Sequence, residues 1–472
     1  MKKLVYISSL FAVALSMAFS SCTHEMDDIF SKPAADRTTE TMEFYRKALV
    51  EQGGKWQMEY FTQDIEQGYV YLFTFYKNGS VAISGKNPCI GALYTIDNPQ
   101  NTFGCDTSAW EITPDDGPTL TLNTYNKFFH IFSEPEDILQ TGDSETGYGH
   151  RGDYEFNLMR YTGDSLIMRG KKNAIQIAMT RVDENTNDEA YLDDVCALAD
   201  SFFNALVPET YLQLGTGRRY IIKNGSSLIL ETYPEWYYYV KKDIIEPGDP
   251  ISQTESHNAI ITPAGLTFMN PVKFYPNVKD STEVVELQHF TRMPDGALVC
   301  RDGYEGVIKA DSLNNLIQHP EICWRIDTKD MGGKMKELYD GAVDGMTKYN
   351  KKFKMQYIQL GAYYSKQAIN GFGFTWLYKN GSSVTPCILA YQPQTREGED
   401  IVKFNIITDK SGNDNNNGPT IYSKVPAIQS LVEYFNTTKF KITANSVLAP
   451  TKIMLTNVDN PNDYAFFYMT RN

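Results

Sequence analysis

Several sequence patterns that usually announce chemistry are missing. None of the 472 residues forms a Cys-x-x-Cys pair, a His-Glu-x-x-His stretch, a phosphate-binding glycine loop, a dinucleotide fingerprint or a Gly-x-Ser-x-Gly elbow. Those absences remove the common zinc, nucleotide and serine-hydrolase signatures. The six histidines are scattered, no cofactor is implied, and no carboxylate pair is marked as catalytic. Basic runs are missing too. Lys and Arg total 44 against 58 Asp and Glu, a net charge of −14 that argues against nucleic acid and against an anionic membrane face. Long apolar runs occur once, at residues 4–19. Cysteine is sparse and widely spaced. Cys89 and Cys105, within one stretch, are the pair that could form a disulfide, and a chain this long needs no disulfide framework.

What the chain has in quantity is aromatic residues, 13% overall with 31 tyrosines, a balance suited to half-buried strands. Lys-Asn-Gly-Ser occurs three times, centred on Asn78-Gly79, Asn224-Gly225 and Asn380-Gly381. Each copy follows an aromatic or aliphatic run, so each is predicted to be an equivalent type I′ hairpin turn.

The opening MKKLVYISSLFAVALSMAFSSC has a basic start, a short apolar core and small residues before Cys22. The core is too short for a comfortable membrane span and reads as an export signal over 1–21. Cys22 after Ser20-Ser21 resembles a bacterial lipobox, although Phe19 stands where leucine is usual. Cys22 is therefore the expected lipid attachment and would tie the protein to a bilayer. Residues 22–37 read as a polar tether.

Beyond it, markers recur at one long spacing. Thr180-Arg181-Val182-Asp183, Trp324-Arg325-Ile326-Asp327 and Thr470-Arg471-Asn472 each read as closing an apolar strand, with arginines 144 and 146 residues apart. KWQMEYF at 55–61 is echoed by KFKMQYI at 352–358, and Gly117-Pro118-Thr119 by Gly418-Pro419-Thr420. Helical periodicity at 42–49, 192–206 and 335–349 opens each stretch. The expectation is a mainly β chain of three tandem antiparallel units at 38–182, 183–327 and 328–472. Each would be a barrel or sandwich entered by an amphipathic helix. Strands are also expected at 92–96 and 128–132, and helical spacing at Ile428, Leu431, Val432 and Phe435 sets the third unit apart.

Candidate sites are few. Trp236, Tyr237, Tyr238 and Tyr239 could offer a stacking platform, though consecutive strand residues point to opposite faces. Arg151-Gly152-Asp153 spells a short adhesion tripeptide of the kind chance produces. Asp409–Gly418 alternates oxygen donors like a calcium loop, but lacks the glycine and the closing acid of an EF-hand.

Gly54-Lys55-Trp56, with an arginine after the last strand of the first unit, resembles the lipocalin-like pattern. That resemblance implies a barrel whose tryptophan packs beside the arginine. The anchor, GGKWQMEYF, TFYKNGSV, GPTLTLNTYN, GDYEF and IMRGKK together resemble an uncharacterised family of Bacteroidetes lipoproteins, a domain of unknown function. The resemblance implies partners of the Sus-type outer-membrane uptake systems and an outer-membrane address, and Glu25, Asp27 and Asp28 behind Cys22 resemble the acidic surface-export tags of Bacteroidetes lipoproteins, which would face the protein outward. The family resemblance supplies no catalytic residues. The function expected is therefore a non-catalytic binding or accessory lipoprotein. A hydrolase with unlocated carboxylates and a structural or adhesive surface protein stay open as alternatives.

Overall fold

The computed structural model describes residues 31–62, 67–95, 97–115, 117–136, 149–203, 210–216, 219–224, 229–234, 255–277, 282–318, 322–364, 369–395, 400–411 and 417–471. Its strands form three antiparallel sheets, each an eight-stranded meander closed on itself.

The first barrel is β1 (Lys55–Tyr60), β2 (Tyr69–Phe75), β3 (Ser80–Asn87), β4 (Thr102–Thr113), β5 (Thr119–Leu122), β6 (Glu155–Tyr161), β7 (Ser165–Gly170) and β8 (Gln176–Arg181). It closes where Trp56 pairs with Arg181 and Met58 with Met179. The second comprises β9 (Thr210–Leu214), β10 (Arg219–Asn224), β11 (Ile229–Pro234), β12 (Glu255–Thr262), β13 (Gly265–Phe274), β14 (Val285–Arg292), β15 (Leu298–Cys300) and β16 (Gly306–Ala310), closed by Leu212 against Ile308. The third comprises β17 (Ile322–Gly332), β18 (Phe353–Tyr364), β19 (Ile369–Asn380), β20 (Ser383–Thr395), β21 (Ile401–Ile406), β22 (Lys439–Ala444), β23 (Lys452–Asn457) and β24 (Tyr464–Arg471), closed by Trp324 against Met469. Closure leaves no sheet edge to manage.

The expected cut between the second and third units, at 327/328, is corrected by this pairing. Trp324-Arg325 lies in β17, the first strand of the third barrel, and the second barrel ends with β16. The helix of the third unit, α5 (Gly333–Tyr349), accordingly follows a strand rather than opening the unit. The helices before it are α1 (Ala34–Val50), α2 (Pro88–Ala92), α3 (Asp188–Phe203) and α4 (Leu313–Leu316). Those after it are α6 (Asn417–Tyr422) and α7 (Pro426–Thr437).

Two stretches expected as strands are not. Asn87 caps α2 by accepting the Ile90 N–H, with Pro88 in the first turn, so the chain leaves β3 as a helix and Ala92 ends it. Phe128–Phe132 turns through a short 3-10 segment, His130–Phe132, and enters the first barrel. The Phe129 ring there lies 4.8 Å from Tyr60, 5.3 Å from Tyr71 and 5.4 Å from Phe73. The third barrel is filled by a segment at the same place in the strand order, between the fifth and sixth strands. There α7 carries Ile428, Leu431, Val432 and Phe435 inward, with Phe435 4.9 Å from Phe374 and 5.3 Å from Phe440.

The repeated turns are not one turn. At the first, Tyr76 O accepts the Gly79 N–H (3.1 Å), the Asn78 carboxamide accepts from Ser80 N and Oγ (3.0 and 2.7 Å), and only Gly79 takes positive φ (84°). This is a three-residue loop ending in a left-handed glycine, not a type I′ turn. At the third, Asn380 pairs with Ser383 across a two-residue Gly381-Ser382 loop in which Gly381 alone has positive φ (65°), the type II′ pattern. Asn78 and Asn224 lie between the second and third strands of their barrels, Asn380 between the third and fourth. Gly225 is outside the described residues. Gly418-Pro419 likewise begins helix α6, whereas Gly117-Pro118 leads into strand β5.

Candidate functional site

The first barrel carries the tryptophan–arginine arrangement that its opening strand implies. Trp56 is fully buried and donates Nε1–H to Leu49 O at 2.9 Å. The Arg181 guanidinium lies 4.2 Å from the Trp56 ring and donates to Ala48 O and Glu51 O, both at 2.7 Å, and to Gly163 O at 2.9 Å. One cation thus stacks on the ring and satisfies carbonyls at the end of α1. Its role is to lock the barrel floor, and the barrel above is occupied by Phe129 and Phe132 rather than by an open calyx.

The barrels are docked on one another. Leu192 and Val195 of α3 are buried among Phe61, Val70 and Leu72 of the first barrel and Ile260 and Met269 of the second. The helix therefore bridges two units instead of covering only its own. A polar margin flanks this apolar seam. Lys55 pairs with Asp188 at 2.7 Å, Ser84 Oγ donates to the same carboxylate at 2.6 Å, and Tyr191 OH meets Gln57 Oε1. Glu59, on the outward side of β1, faces Thr267, His289 and Arg301 of the second barrel, and burial raises its pKa. Between the second and third barrels the link is a loop. Leu448 of the third barrel's β22–β23 connection belongs to the core of the second, and Ala310 N donates to Val447 O at 2.9 Å.

Beside that link opens a cleft of about 820 Å³, within the range of ligand sites. Its second-barrel wall is built by register. Lys309 stands opposite Tyr211 and Arg219 opposite Gln213, so the outward residues of β16, β9 and β10 form one patch. The Arg219 guanidinium sits 3.8 Å from the Tyr211 ring and 3.4 Å from Asp311 Oδ1. Asp311 also accepts from Ser312 N (2.8 Å) and Asn315 Nδ2 (3.0 Å). Asp400 and Thr395 face them from the third barrel. The cleft thus presents a pinned cation, a second cation and amide donors on one wall, and a carboxylate on the other. Nothing in the sequence distinguished these residues, because their contacts depend on strand register and on two barrels meeting.

The residues singled out by sequence are dispersed. Cys22 and Trp236–Tyr239 lie outside the described residues. Asp153 of the Arg-Gly-Asp tripeptide is buried, and its carboxylate accepts the Lys172 and Asn173 N–H groups at 2.8 and 3.2 Å, so it is unavailable to a partner. Cys89 and Cys105 do not pair. Cys89 is buried on α2 with Sγ 3.5 Å from Tyr69 OH, while Cys105 is exposed on β4. Of the alternating oxygen loop, residues 412–416 are outside the described set, and Ser411 Oγ donates to Asp409. Among the described residues no group of three or more His, Cys, Asp or Glu side chains is placed to hold a metal.

Three closed barrels in tandem, with a polar cleft between the second and third, define a modular β-barrel protein. Residues 26–284 match the model of a family described as a domain of unknown function, DUF4302, and the chain belongs to that family. The matched stretch runs through the first barrel, α3 and the first five strands of the second. No curated protein matches the chain. Solved structures give only distant likeness. The DNA polymerase beta subunit of Streptococcus pyogenes has 10% identity and a TM-score of 0.11, with 91% of this chain and 98% of that one covered. The DNA polymerase III beta subunit of Thermotoga maritima also has 10% identity and 0.11, covering 92% and 97%. The C. crescentus beta sliding clamp has 8% identity and 0.11, covering 92% and 97%. Likeness at that TM-score carries no argument about function.

Proposed function

We propose that this chain is a non-catalytic lipoprotein of the bacterial cell envelope, anchored through Cys22, that binds a polar ligand for an outer-membrane uptake system of the Sus type. The carrying observation is where space remains. The first and third barrels are filled by their own chain, whereas the roomy cleft between the second and third is walled by oriented charges and amides. Asp311 supports binding over catalysis, because its carboxylate is held by a guanidinium, a backbone N–H and a carboxamide. The anchor reading is supported by the tripartite start ending at Cys22, and the uptake setting by the family resemblance.

Two measurements test this. Fatty-acid labelling should tag the wild type, and Cys22→Ala should lose both label and membrane retention. Retention of Cys22→Ala on membranes after high-salt washing would remove the anchor. Affinity purification from native outer membrane should recover uptake components, and Lys309→Glu with Arg219→Glu should weaken capture of polar ligand. One observation favours a hydrolase instead, namely that Asp311 and Asp400 share the cleft. Turnover of an oligosaccharide or peptide, abolished by Asp400→Asn, would replace the binding reading.

A further inference from the structure

The segment that fills the first barrel also builds a feature on its outside. Tyr125 and Tyr154 bracket it in sequence, one just after β5 and the other just before β6. Between their rings lies the imidazole of His130, 5.4 Å from Tyr125 at 37° and 5.0 Å from Tyr154 at 33°. Both rings are tilted against the imidazole rather than stacked flat on it. His130 is 7% exposed, and its Nδ1 accepts the Asn126 N–H at 3.0 Å, which fixes the ring. Burial lowers its pKa, so the ring is a neutral spacer. The tyrosines on either side are 58% and 40% exposed. Burial, and after it the charge of the nearby Glu134 carboxylate, raises the pKa of the Tyr125 hydroxyl. The neighbouring Lys127 N–H is held by Asp106 Oδ2 at 3.1 Å, which fixes the backbone next to Tyr125.

We propose that the Tyr125–His130–Tyr154 cluster is a carbohydrate-binding platform, with a pyranose ring on the outer face of Tyr125 and Glu134 accepting its hydroxyls. The chemistry selects the ligand. A flat aromatic face takes up the C–H face of a sugar, while the carboxylate at its rim matches the equatorial hydroxyls. An apolar protein partner would leave Glu134 desolvated against nothing, at a cost. Preorganisation matters because the ring backing is already ordered before ligand arrives, so little rotamer freedom is lost on binding. The platform lies on the first barrel, away from the cleft between the second and third, and it stands or falls independently of the cleft.

The test is affinity electrophoresis of the mature chain through gels containing amylopectin, barley β-glucan, arabinoxylan, galactomannan, pectin or yeast mannan. At least one polymer should retard the wild type. Tyr125→Ala should weaken that retardation about tenfold and Tyr154→Ala should weaken it less, with unchanged melting temperatures because both side chains are largely exposed. Tyr125→Phe should retain it, while Glu134→Gln should weaken it. Lys309→Glu in the cleft should leave it unchanged. No retardation by any of the six polymers overturns the proposal. So does retardation that Tyr125→Ala leaves intact, or that only Lys309→Glu removes, which would assign glycan binding to the cleft instead.

Discussion

Arg181 touches more of the first barrel than any contact map of hydrophobic residues conveys, because one planar guanidinium serves an aromatic face and three carbonyls together. Replacing it by alanine leaves the Ala48 and Glu51 carbonyls at the end of α1 without that donor, and should cost about 2–4 kcal/mol. Lysine should recover only a small part, since a point charge cannot stack and fork at once. Calorimetry of the two variants separates the effects. Equal stability of Arg181→Lys and wild type would show that charge alone suffices. His257 supplies a second residue-scale prediction. It lies on the inner face of β12, 5.7 Å from the Phe268 ring, and burial depresses its pKa to about 4 from 6.5. A depressed histidine binds fewer protons folded than unfolded, so stability is full above pH 6.5 and falls as pH drops towards 4. The loss should be roughly 1–3 kcal/mol, and His257→Leu should flatten melting temperature against pH in that window.

At the scale of elements, the outcome divides cleanly by the range of the interactions involved. Strands such as KWQMEYF and YVYLFTF, and helices with a clear apolar stripe, were legible because alternation and the 3.6-residue period are local properties. The choice of barrel over sandwich in the second and third units, the two interior plugs and the cleft were not. Phe128–Phe132 has a strand's composition, yet it packs as a plug because the space enclosed by eight strands must be filled. The first and third Asn-Gly turns were found, but their types were misjudged, since loop length depends on where the flanking strands stop pairing. Gly79 and Gly381 both need positive φ, so valine at either should cost roughly 1–3 kcal/mol whatever the turn type. The plugs give a sharper test. Phe129→Ala and Phe435→Ala should each destabilise their own barrel by about 3–5 kcal/mol and open an apolar cavity. Binding of a small aromatic such as benzene to either variant, but not to wild type, would report that cavity. Absence of any stability loss would mean the barrels do not depend on being filled.

On the scale of the whole molecule, the barrels are three in topology but are not three independent bodies. The α3 seam ties the first to the second, and the loop bearing Leu448 ties the third to the second. Leu448→Asp should therefore lower the stability of the second barrel although the substitution lies in the third. Hydrogen exchange resolved by segment is the measurement. Protection lost over β9–β16 with β18–β21 unchanged is the expected pattern, and loss confined to the third barrel would deny the coupling. The same dependence has a temporal side. Leu448 follows Ala310, the last residue of the second barrel, by 138 residues. At synthesis rates of about 5–20 residues per second the middle barrel waits for about 7–28 seconds before its core can be completed. The first barrel can thus be complete long before the second, which is the stretch a chaperone meets unfinished. A chain ended at residue 318 should contain a protease-resistant first barrel followed by a second that is cut readily.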